Sequence, residues 1–264
     1  SLFLRQLNAA LDRDLEEARR LQHALLGARV RRVGPAQVSL LLRPSGPLGG
    51  DLVGVIPGGP DEVGVFAVDV SGHGIASALI AARLASHLTA PMPGQNLALT
   101  AGPGRSMRLR APADVATRLN RLLMSEMTTD HYVAHALARL DLRTGTVSIA
   151  QAGYPYPAIR RGDGRVEFLG DGGVPAGLFE APSYEDIRTT LAPGDRLVLA
   201  SDGITECAGP GGPLGELGLA RLIMARAARP AARFLDEMVD DLVAMRGSPD
   251  FADDISAVIV AYDP

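Results

Sequence analysis

Four aspartates stand at the ends of separate apolar runs, and each is a candidate ligand for a metal ion. They are Asp51 after two glycines, Asp69 near the end of the run 65–70, Asp202 after the run 197–201, and Asp253, with Asp254, directly before the run 255–261. A carboxylate beside an apolar strand is costly without a partner, and several carboxylates in one place repel each other unless a cation holds them. The chain has no Lys, and no Arg lies within three residues of Asp69 or Asp202.

Such a set of carboxylates suits hard divalent cations, because Mg²⁺ and Mn²⁺ prefer octahedral oxygen ligands. Four aspartates could neutralise two such ions, and two neighbouring ions activate a water molecule and clamp phosphate oxygens. Flanking glycines would let the backbone approach the ions or the substrate closely. Each aspartate taken singly is also typical of a turn or a helix cap, so the spacing alone leaves open whether the four converge.

The histidines and the single cysteine provide weaker candidates. His73 lies in a Ser-Gly-His-Gly segment and is either a general acid or an ordinary loop histidine. His131 and His135 lie four apart in a predicted strand, and the absence of an H-E-x-x-H pattern argues against a zinc hydrolase. Because Cys207 is the only cysteine, the chain cannot form an internal disulfide. Cys207 is also not expected to be a nucleophile, because Pro213 occupies the place where a cysteine-dependent phosphatase loop needs Arg.

Composition excludes several function classes. Without Lys, a Walker-A loop, a kinase lysine and a Schiff-base enzyme are ruled out. The net charge of −4, the absence of Trp and an aromatic content of 4% argue against a nucleic-acid partner. No apolar run is long enough to span a bilayer and no signal peptide is evident. A cytoplasmic domain is expected, and because the chain starts at Ser1, an upstream region that could anchor the full-length protein in a membrane is also expected.

Residues 2–28 are predicted to form an amphipathic helix. Apolar residues recur at three- and four-residue steps, at Leu4, Leu7, Leu11, Leu15, Ala18, Leu21 and Leu25. Asp14 interrupts this near-heptad repeat. Two interpretations stand: a helix packed on its own domain, or a coiled coil that dimerises or transmits a signal.

The rest of the chain arranges strands and helices in blocks. Strands are predicted at 37–42, 53–56, 63–70, 132–142, 146–152, 158–161, 166–169, 187–191, 196–200 and 255–262, and helices at 74–89, 112–127, 215–228 and 230–246. The segment 91–110 is predicted to be a long irregular loop, for which gating of a substrate is one hypothesis. This order predicts an α+β fold in which antiparallel sheets are covered by helices.

Five segments occur in an order that resembles a known family. They are GGD at 49–51, AVDVSGHGIASALIAARL at 67–84, AGYPYPAI at 152–159, LASDGITE at 199–206 and DDISAVIV at 253–260. Together they resemble the bacterial metal-dependent serine/threonine phosphatases of the stage II sporulation protein E type, a branch of the protein phosphatase 2C superfamily. The resemblance spans about residues 15–262 and implies a four-layer α/β/β/α sandwich with two central, mainly antiparallel sheets flanked by helices.

The resemblance also implies a site and a reaction. Asp69 would bridge two Mn²⁺ or Mg²⁺ ions, the carbonyl oxygen of Val70 would add a ligand, and Asp51, Asp202 and Asp253 would complete the set. Water activated by the ions would hydrolyse phosphoserine or phosphothreonine directly, with Asp69 and Asp202 as catalytic residues. The typical substrate is a phosphorylated anti-sigma-factor antagonist.

Regulation is implied in the same way. Members of the family are typically switched by an upstream sensor or receiver domain through a connecting helix, often in a homodimer. Residues 1–30 would form this linker or signalling helix, and residues 31–264 would form the phosphatase domain.

Three positions depart from the family pattern. Residues 52–54 are Leu-Val-Gly where the family usually has an aromatic pair and a second aspartate. Tyr154 replaces the histidine of an AGH motif, which predicts the loss of a polar group near the site. Ser71 occupies the position of the general-acid histidine of the wider superfamily, so His73 is not its direct counterpart.

None of these departures removes a predicted ligand, so an active enzyme is expected. Two alternatives are a catalytically silent phosphatase-fold module that docks a partner, and a metal-dependent hydrolase of another phosphoester. The presence of all four aspartates argues against the first alternative. The scarcity of aromatic residues argues against a nucleotide as the substrate of the second.

Overall fold

The chain is described by a computed structural model over residues 2–126, 130–226 and 229–263. The helices within these ranges are α1 (Leu2–Leu26), α2 (Ile75–Thr89), α3 (Pro112–Glu126), α4 (Asp202–Thr205), α5 (Gly215–Ala225) and α6 (Ala231–Arg246), with a 3₁₀ turn at Pro103–Arg105. In this part of the chain, none of the helices combines the length and the apolar character needed to cross a membrane.

Two antiparallel sheets form the centre of the molecule. The strands are β1 (Val30–Val33), β2 (Ala36–Arg43), β3 (Asp51–Pro57), β4 (Glu62–Val70), β5 (Leu99–Ala101), β6 (Met107–Leu109), β7 (Val133–Asp141), β8 (Thr146–Ala152), β9 (Ala158–Arg160), β10 (Val166–Phe168), β11 (Ile187–Thr190), β12 (Arg196–Ala200), β13 (Ala208–Gly209), β14 (Gly212–Pro213) and β15 (Ile255–Tyr262). One sheet has the order β1-β2-β15-β12-β9-β10 and the other the order β11-β8-β7-β4-β3. The pairs β5-β6 and β13-β14 form two small ribbons.

The sheets pack face to face because their central strands are apolar on both sides. In β4, Val65 and Ala67 point into the core between the sheets, whereas Phe66 and Val68 point toward α2 and α3. Strand β15 repeats this alternation toward α5 and α6 on the opposite side. Helices therefore cover both outer faces, and the predicted α+β fold, a four-layer α/β/β/α sandwich, is confirmed.

Several segments differ from the sequence prediction, among them the short α4, β13 and β14, for which no element was predicted. The segment 91–110 contains the β5–β6 hairpin, so the prediction of a wholly irregular loop there is wrong. Leu99 and Leu109 of this hairpin are buried beneath α2 and α3, and the amide of Leu109 donates to Glu62 Oε1. Strand β1 was not predicted, because its Val-Arg-Arg-Val sequence lies at the sheet edge and is largely exposed.

Helix α1 ends at Leu26, two residues earlier than predicted, and packs on the domain through one face. Gln22 and Leu26 are buried on that face, whereas Leu21 and Leu25 are exposed. Nε2 of Gln22 donates to the carbonyl oxygen of Gly49 at 2.6 Å, and the amide of Gly49 donates to Oε1 at 3.2 Å. The predicted stripe therefore agrees with the partly buried Leu15 and Ala18 but not with the last turns, where Gln22 and Leu26 are buried in place of Leu21 and Leu25. Both ends of the Gln22 amide group bind the segment before β3.

Candidate active site

The pairing of β3 with β4 places two predicted ligands side by side. Asp51, the first residue of β3, lies opposite Asp69, the penultimate residue of β4. Asp51 is buried and Asp69 is half-buried. Gly50 lies against the backbone here, since a Cβ at that position would stand 2.7 Å from the Val70 carbonyl oxygen. The glycine therefore permits the close backbone approach that the sequence indicated.

The second sheet contributes Asp202 and Asp253 at the same end of the sandwich. Asp202 begins α4 directly after β12, and Asp253 precedes β15. Because β12 and β15 are antiparallel neighbours, the end of the first meets the start of the second. Ser256 Oγ donates to Asp51 Oδ2 at 2.6 Å and joins the two sheets at this point. The structure thus brings the four predicted aspartates to one end of the fold.

Asp254 plays a structural part that differs from that of its neighbour. Its Oδ1 accepts hydrogen bonds from the Ser45 amide at 2.8 Å and the Ser45 hydroxyl at 3.0 Å. Its Oδ2 accepts from the amide of Asp51 at 3.2 Å. Asp253 is exposed, and its Oδ1 accepts from the Asp254 amide at 2.8 Å. The buried carboxylate of Asp254 therefore fixes the backbone that carries Asp51.

Burial and mutual repulsion make ionisation of this cluster costly. Burial, followed by the charge of Asp202, raises the pKa of Asp69 to about 7. Burial and the charge of Asp69 raise the pKa of Asp51, although the hydrogen bond from Ser256 lowers it in part. Burial and the charge of Asp253 raise the pKa of Asp202. Each shift has the same cause, a negative charge held away from water and near other negative charges.

The chemistry of this cluster fits a hard divalent cation. Within the described ranges, no group of three or more carboxylate, imidazole or thiolate side chains is gathered closely enough to hold an ion as it stands. The four donors are nevertheless carboxylates whose repulsion a divalent cation would relieve. The role of Asp51, Asp69, Val70, Asp202 and Asp253 as ligands stays a prediction.

A cleft of about 990 Å³ opens above Asp69 and Asp202. One wall is the segment 153–156 with Phe168, and the other is the segment 213–217. Glu206 and Glu216 add negative charge, and among the described residues that line the cleft none is basic. A phosphate group entering this cleft therefore meets apolar, acidic and hydroxyl side chains and no basic one among the described lining residues.

The predicted general acid lies elsewhere. His73 is exposed and lines a separate cavity with Leu48 and Phe251, so the structure does not bring it to the cleft. His131 contacts the same loop, because its Nδ1 forms a short hydrogen bond with the carbonyl oxygen of Ser71. The Ser71 hydroxyl in turn accepts from the amide of Tyr132 at 2.9 Å. These contacts hold the loop that follows Asp69.

His135 lies in the outer core and not with the carboxylates. It is fully buried, and neither ring nitrogen has a hydrogen-bond partner among the described residues. Burial lowers its pKa to about 4, so the ring is neutral near neutral pH. Its neighbour is Tyr184, with ring centroids 6.2 Å apart. His135 therefore contributes packing and no charge to the structure.

The expectation that Tyr154 removes a polar group from the site is wrong. The residue is 2% exposed and lines the same cleft as Asp69 and Asp202. Burial, followed by the charge of Asp51, raises the pKa of its phenol well above the usual range. The tyrosine therefore places a hydroxyl beside the carboxylates. Sequence reasoning missed this group and also missed Ser256, whose only signal is a polar residue inside an apolar strand.

Comparison with known proteins identifies relatives of this chain. The family model described as Stage II sporulation protein E matches residues 59–263. The phosphoserine phosphatase RsbP of Bacillus subtilis (strain 168) is 27% identical over 195 residues, which cover 74% of this chain and 45% of RsbP. The phosphoserine phosphatase RsbU of the same organism is 23% identical over 244 residues, covering 92% of this chain and 68% of RsbU. The chain thus spans less than half the length of the first relative.

The fold is also found among solved structures. The SiaA-PP2C domain of Pseudomonas aeruginosa has a TM-score of 0.79 at 21% identity, covering 97% of this chain and 99% of that chain. The family match covers most of the present chain and includes four of the five motifs that carry the sequence resemblance. The chain therefore belongs to the stage II sporulation protein E family and has the fold of the PP2C phosphatases.

Proposed function

We propose that this chain is a metal-dependent protein phosphatase that hydrolyses phosphoserine or phosphothreonine. The observation that carries the proposal is that Asp51, Asp69, Asp202 and Asp253 lie at one end of the sandwich, where Asp69 and Asp202 line an open cleft. With the Val70 carbonyl oxygen, these groups would hold two Mn²⁺ or Mg²⁺ ions. When bound, such ions lower the pKa of a coordinated water and polarise phosphate oxygens.

The surrounding residues support direct attack by water. Cys207 is buried, and burial raises the pKa of its thiol, which disfavours a thiolate nucleophile. Ser201 is not exposed as a nucleophile either, because it is buried and its hydroxyl donates to the carbonyl oxygen of Asp254. Asp51 is held by Ser256 and Asp254, whereas the half-buried Asp69 and Asp202 face the cleft. The protein would thus supply fixed carboxylates and a cleft for the phosphorylated side chain.

The proposed substrate is a phosphorylated protein of the anti-sigma-factor antagonist type. RsbP and RsbU are named phosphoserine phosphatases, and the open cleft can admit an exposed segment of a protein. The lack of basic groups among the described lining residues disfavours a nucleotide or a nucleic acid.

The proposal extends to control by the N-terminal helix. Residues 1–30 would link an upstream sensor or receiver domain to a phosphatase domain at 31–264, in the cytoplasm. Gln22 supports this role because it binds the segment that leads into Asp51. Leu21 and Leu25 are exposed and would form the contact of a homodimer, for which sedimentation of a Leu21→Glu variant is the direct test.

The first experiment measures hydrolysis of p-nitrophenyl phosphate and of a phosphoserine protein with Mn²⁺, with Mg²⁺ and with EDTA. Wild type should turn over both substrates only with a metal. Asp69→Ala and Asp202→Ala should each lose at least about 100-fold in kcat, because removing charge stabilisation at a reaction centre has effects of this size. Asp61→Ala, an exposed aspartate at the opposite end of β4, is the matched control and should retain full activity.

Two results would contradict the proposal. Turnover that persists in EDTA would exclude metal dependence. Absence of turnover by folded wild type that also fails to bind Mn²⁺ would favour the catalytically silent binding module.

A further inference from the structure

The phenol of Tyr154 is a buried donor beside the proposed metal site. The ring packs in the core between the two sheets, while the hydroxyl has no hydrogen-bond partner among the described residues. A buried donor without a partner costs about 1–3 kcal/mol. Phenylalanine would fill the same core without this cost, so the hydroxyl calls for a functional explanation.

The backbone fixes the direction of this side chain. Gly153 has φ +69°, and a Cβ there would overlap the ring of Pro175, so glycine is required at the turn after β8. The buried Gln151 Nε2 donates to the carbonyl oxygen of Tyr154 at 2.6 Å. The turn and this hydrogen bond together hold the ring between the sheets, at a position that lines the cleft with Asp69 and Asp202.

Tyr154 lines the same cleft as Asp69 and Asp202. After burial, the charge of Asp51 raises the pKa of the phenol, and the Ser256 hydroxyl lowers it. The Ser256 hydroxyl uses its own proton on Asp51 Oδ2, so its oxygen can still accept a hydrogen bond. The phenol lies next to this oxygen without a hydrogen bond of normal geometry between them. A small adjustment would complete a relay from Tyr154 through Ser256 to Asp51.

We propose that Tyr154 is a positioning residue that orients the Asp51 carboxylate for cation binding, through a hydrogen bond to Ser256 or to Asp51 itself. This inference rests on the proposed metal-dependent function. Groups that orient a metal ligand typically contribute about 10–100-fold to metal affinity. The hydroxyl would therefore act on affinity for the cation, whereas the ring acts on the stability of the core.

The test is a calorimetric titration with Mn²⁺ of the whole chain as wild type, Tyr154→Phe, Ser256→Ala and the double variant. Tyr154→Phe should weaken Mn²⁺ binding about 10-fold while the melting temperature in EDTA stays the same or rises. If the two residues act through one relay, the double variant should bind no more weakly than Ser256→Ala alone.

Tyr184→Phe is the matched control, because the Tyr184 hydroxyl is also buried without a partner but lies beside His135. Its Mn²⁺ affinity should equal that of wild type. Wild-type affinity in Tyr154→Phe would overturn the inference and leave the metal-dependent function intact. Failure of wild type to bind Mn²⁺ would instead overturn both, so the two failures are distinguishable.

Discussion

Asp69 lies where several negative charges meet, and its protonation couples the site to pH. Burial, followed by the charges of Asp202, Asp253 and Asp254, raises its pKa to about 7, above the ordinary value of 3.8. In the absence of a cation, the raised pKa means that the folded protein favours the protonated carboxyl of Asp69. The contribution of this group to the stability of the fold is therefore fully present below pH 3.8 and is lost as the pH rises through about 7. A cation would bind the ionised carboxylate and displace the proton.

The corresponding prediction compares wild type with Asp69→Asn in EDTA, by urea unfolding between pH 5 and pH 7. The free energy of unfolding of wild type should fall relative to that of the variant, by about 1 kcal/mol per pH unit. The comparison is needed because His135, whose pKa is lowered to about 4, acts in the opposite direction as the pH falls below its ordinary value of 6.5. His135 is present in both proteins, so its effect cancels.

Saturating Mn²⁺ supplies the control for this experiment. Because the ion binds the ionised form, wild type should then gain stability as the pH rises over the same range. Parallel pH profiles of wild type and Asp69→Asn in EDTA would contradict the raised pKa.

Close contacts between elements determine how accurately the aspartates are placed. Helix α4, which begins at Asp202, lies directly on the start of β15, and a Cβ on Gly203 would overlap the carbonyl group of Asp254. The Ser201 hydroxyl donates to the same carbonyl oxygen at 3.2 Å. The position of Asp202 therefore depends on a glycine that allows helix and strand to touch.

Gly203→Ala should move α4 away from β15 and shift Asp202. We expect a loss of about 1–3 kcal/mol in unfolding free energy and a fall in Mn²⁺ affinity. Gly94→Ala, where a Cβ meets open space, is the control and should change neither quantity. A crystal structure of Gly203→Ala with Asp202 in its wild-type position, or a wild-type Mn²⁺ affinity of this variant, would argue against this tight contact.

Helix α1 is attached to the site segment chiefly by a polar contact. Gln22 is buried and bonds both the carbonyl and the amide of Gly49, two residues before Asp51. Gln22→Ala leaves both backbone groups without this partner and should destabilise the protein by about 1–3 kcal/mol. If α1 regulates the site, kcat should change as well, whereas Gln95→Ala, an exposed control, should match wild type. An unchanged kcat in Gln22→Ala would show that the contact between α1 and Gly49 does not affect catalysis.

At the scale of the whole molecule, the charged side chains that line the cleft are all acidic among the described residues. The chain has a net charge of −4, and the cleft adds Glu206 and Glu216 to its apolar walls, with no basic group among the described lining residues. Leu217 and Tyr156 are exposed at the rim. A substrate segment with apolar and basic residues next to the phosphoserine would be complementary to this surface.

Phosphoserine peptides flanked by Arg should therefore have a higher kcat/KM than matched peptides flanked by Glu. The ratio should shrink as ionic strength rises, because exposed charges are screened. Glu216→Arg should reduce or reverse the preference, and Glu180→Arg, at an exposed position that is not among the cleft-lining residues, should leave it unchanged. An unaltered ranking in Glu216→Arg would show that this charge does not select the substrate.

Most elements and the family could be predicted from the sequence. Apolar runs such as 63–70 are long enough to predict strands by themselves, and the match of β15 to its predicted bounds follows from the largely apolar run Ile255–Tyr262, in which Ser256 is the polar exception. The aspartates at strand ends and their neighbouring glycines also carry a local signal. These features are determined by neighbours in sequence, which is why they can be read without the fold.

The tertiary structure alone decided which of these polar groups meet. Asp51 and Ser256 are 205 positions apart and share a 2.6 Å hydrogen bond, a contact that arises only when the two sheets pack. The same packing separates the roles of Asp253 and Asp254, leaves His73 outside the cleft and places Tyr154 among the residues that line it. Periodicity and turn signals act over a few residues, whereas these contacts depend on strand order, register and close packing between distant segments.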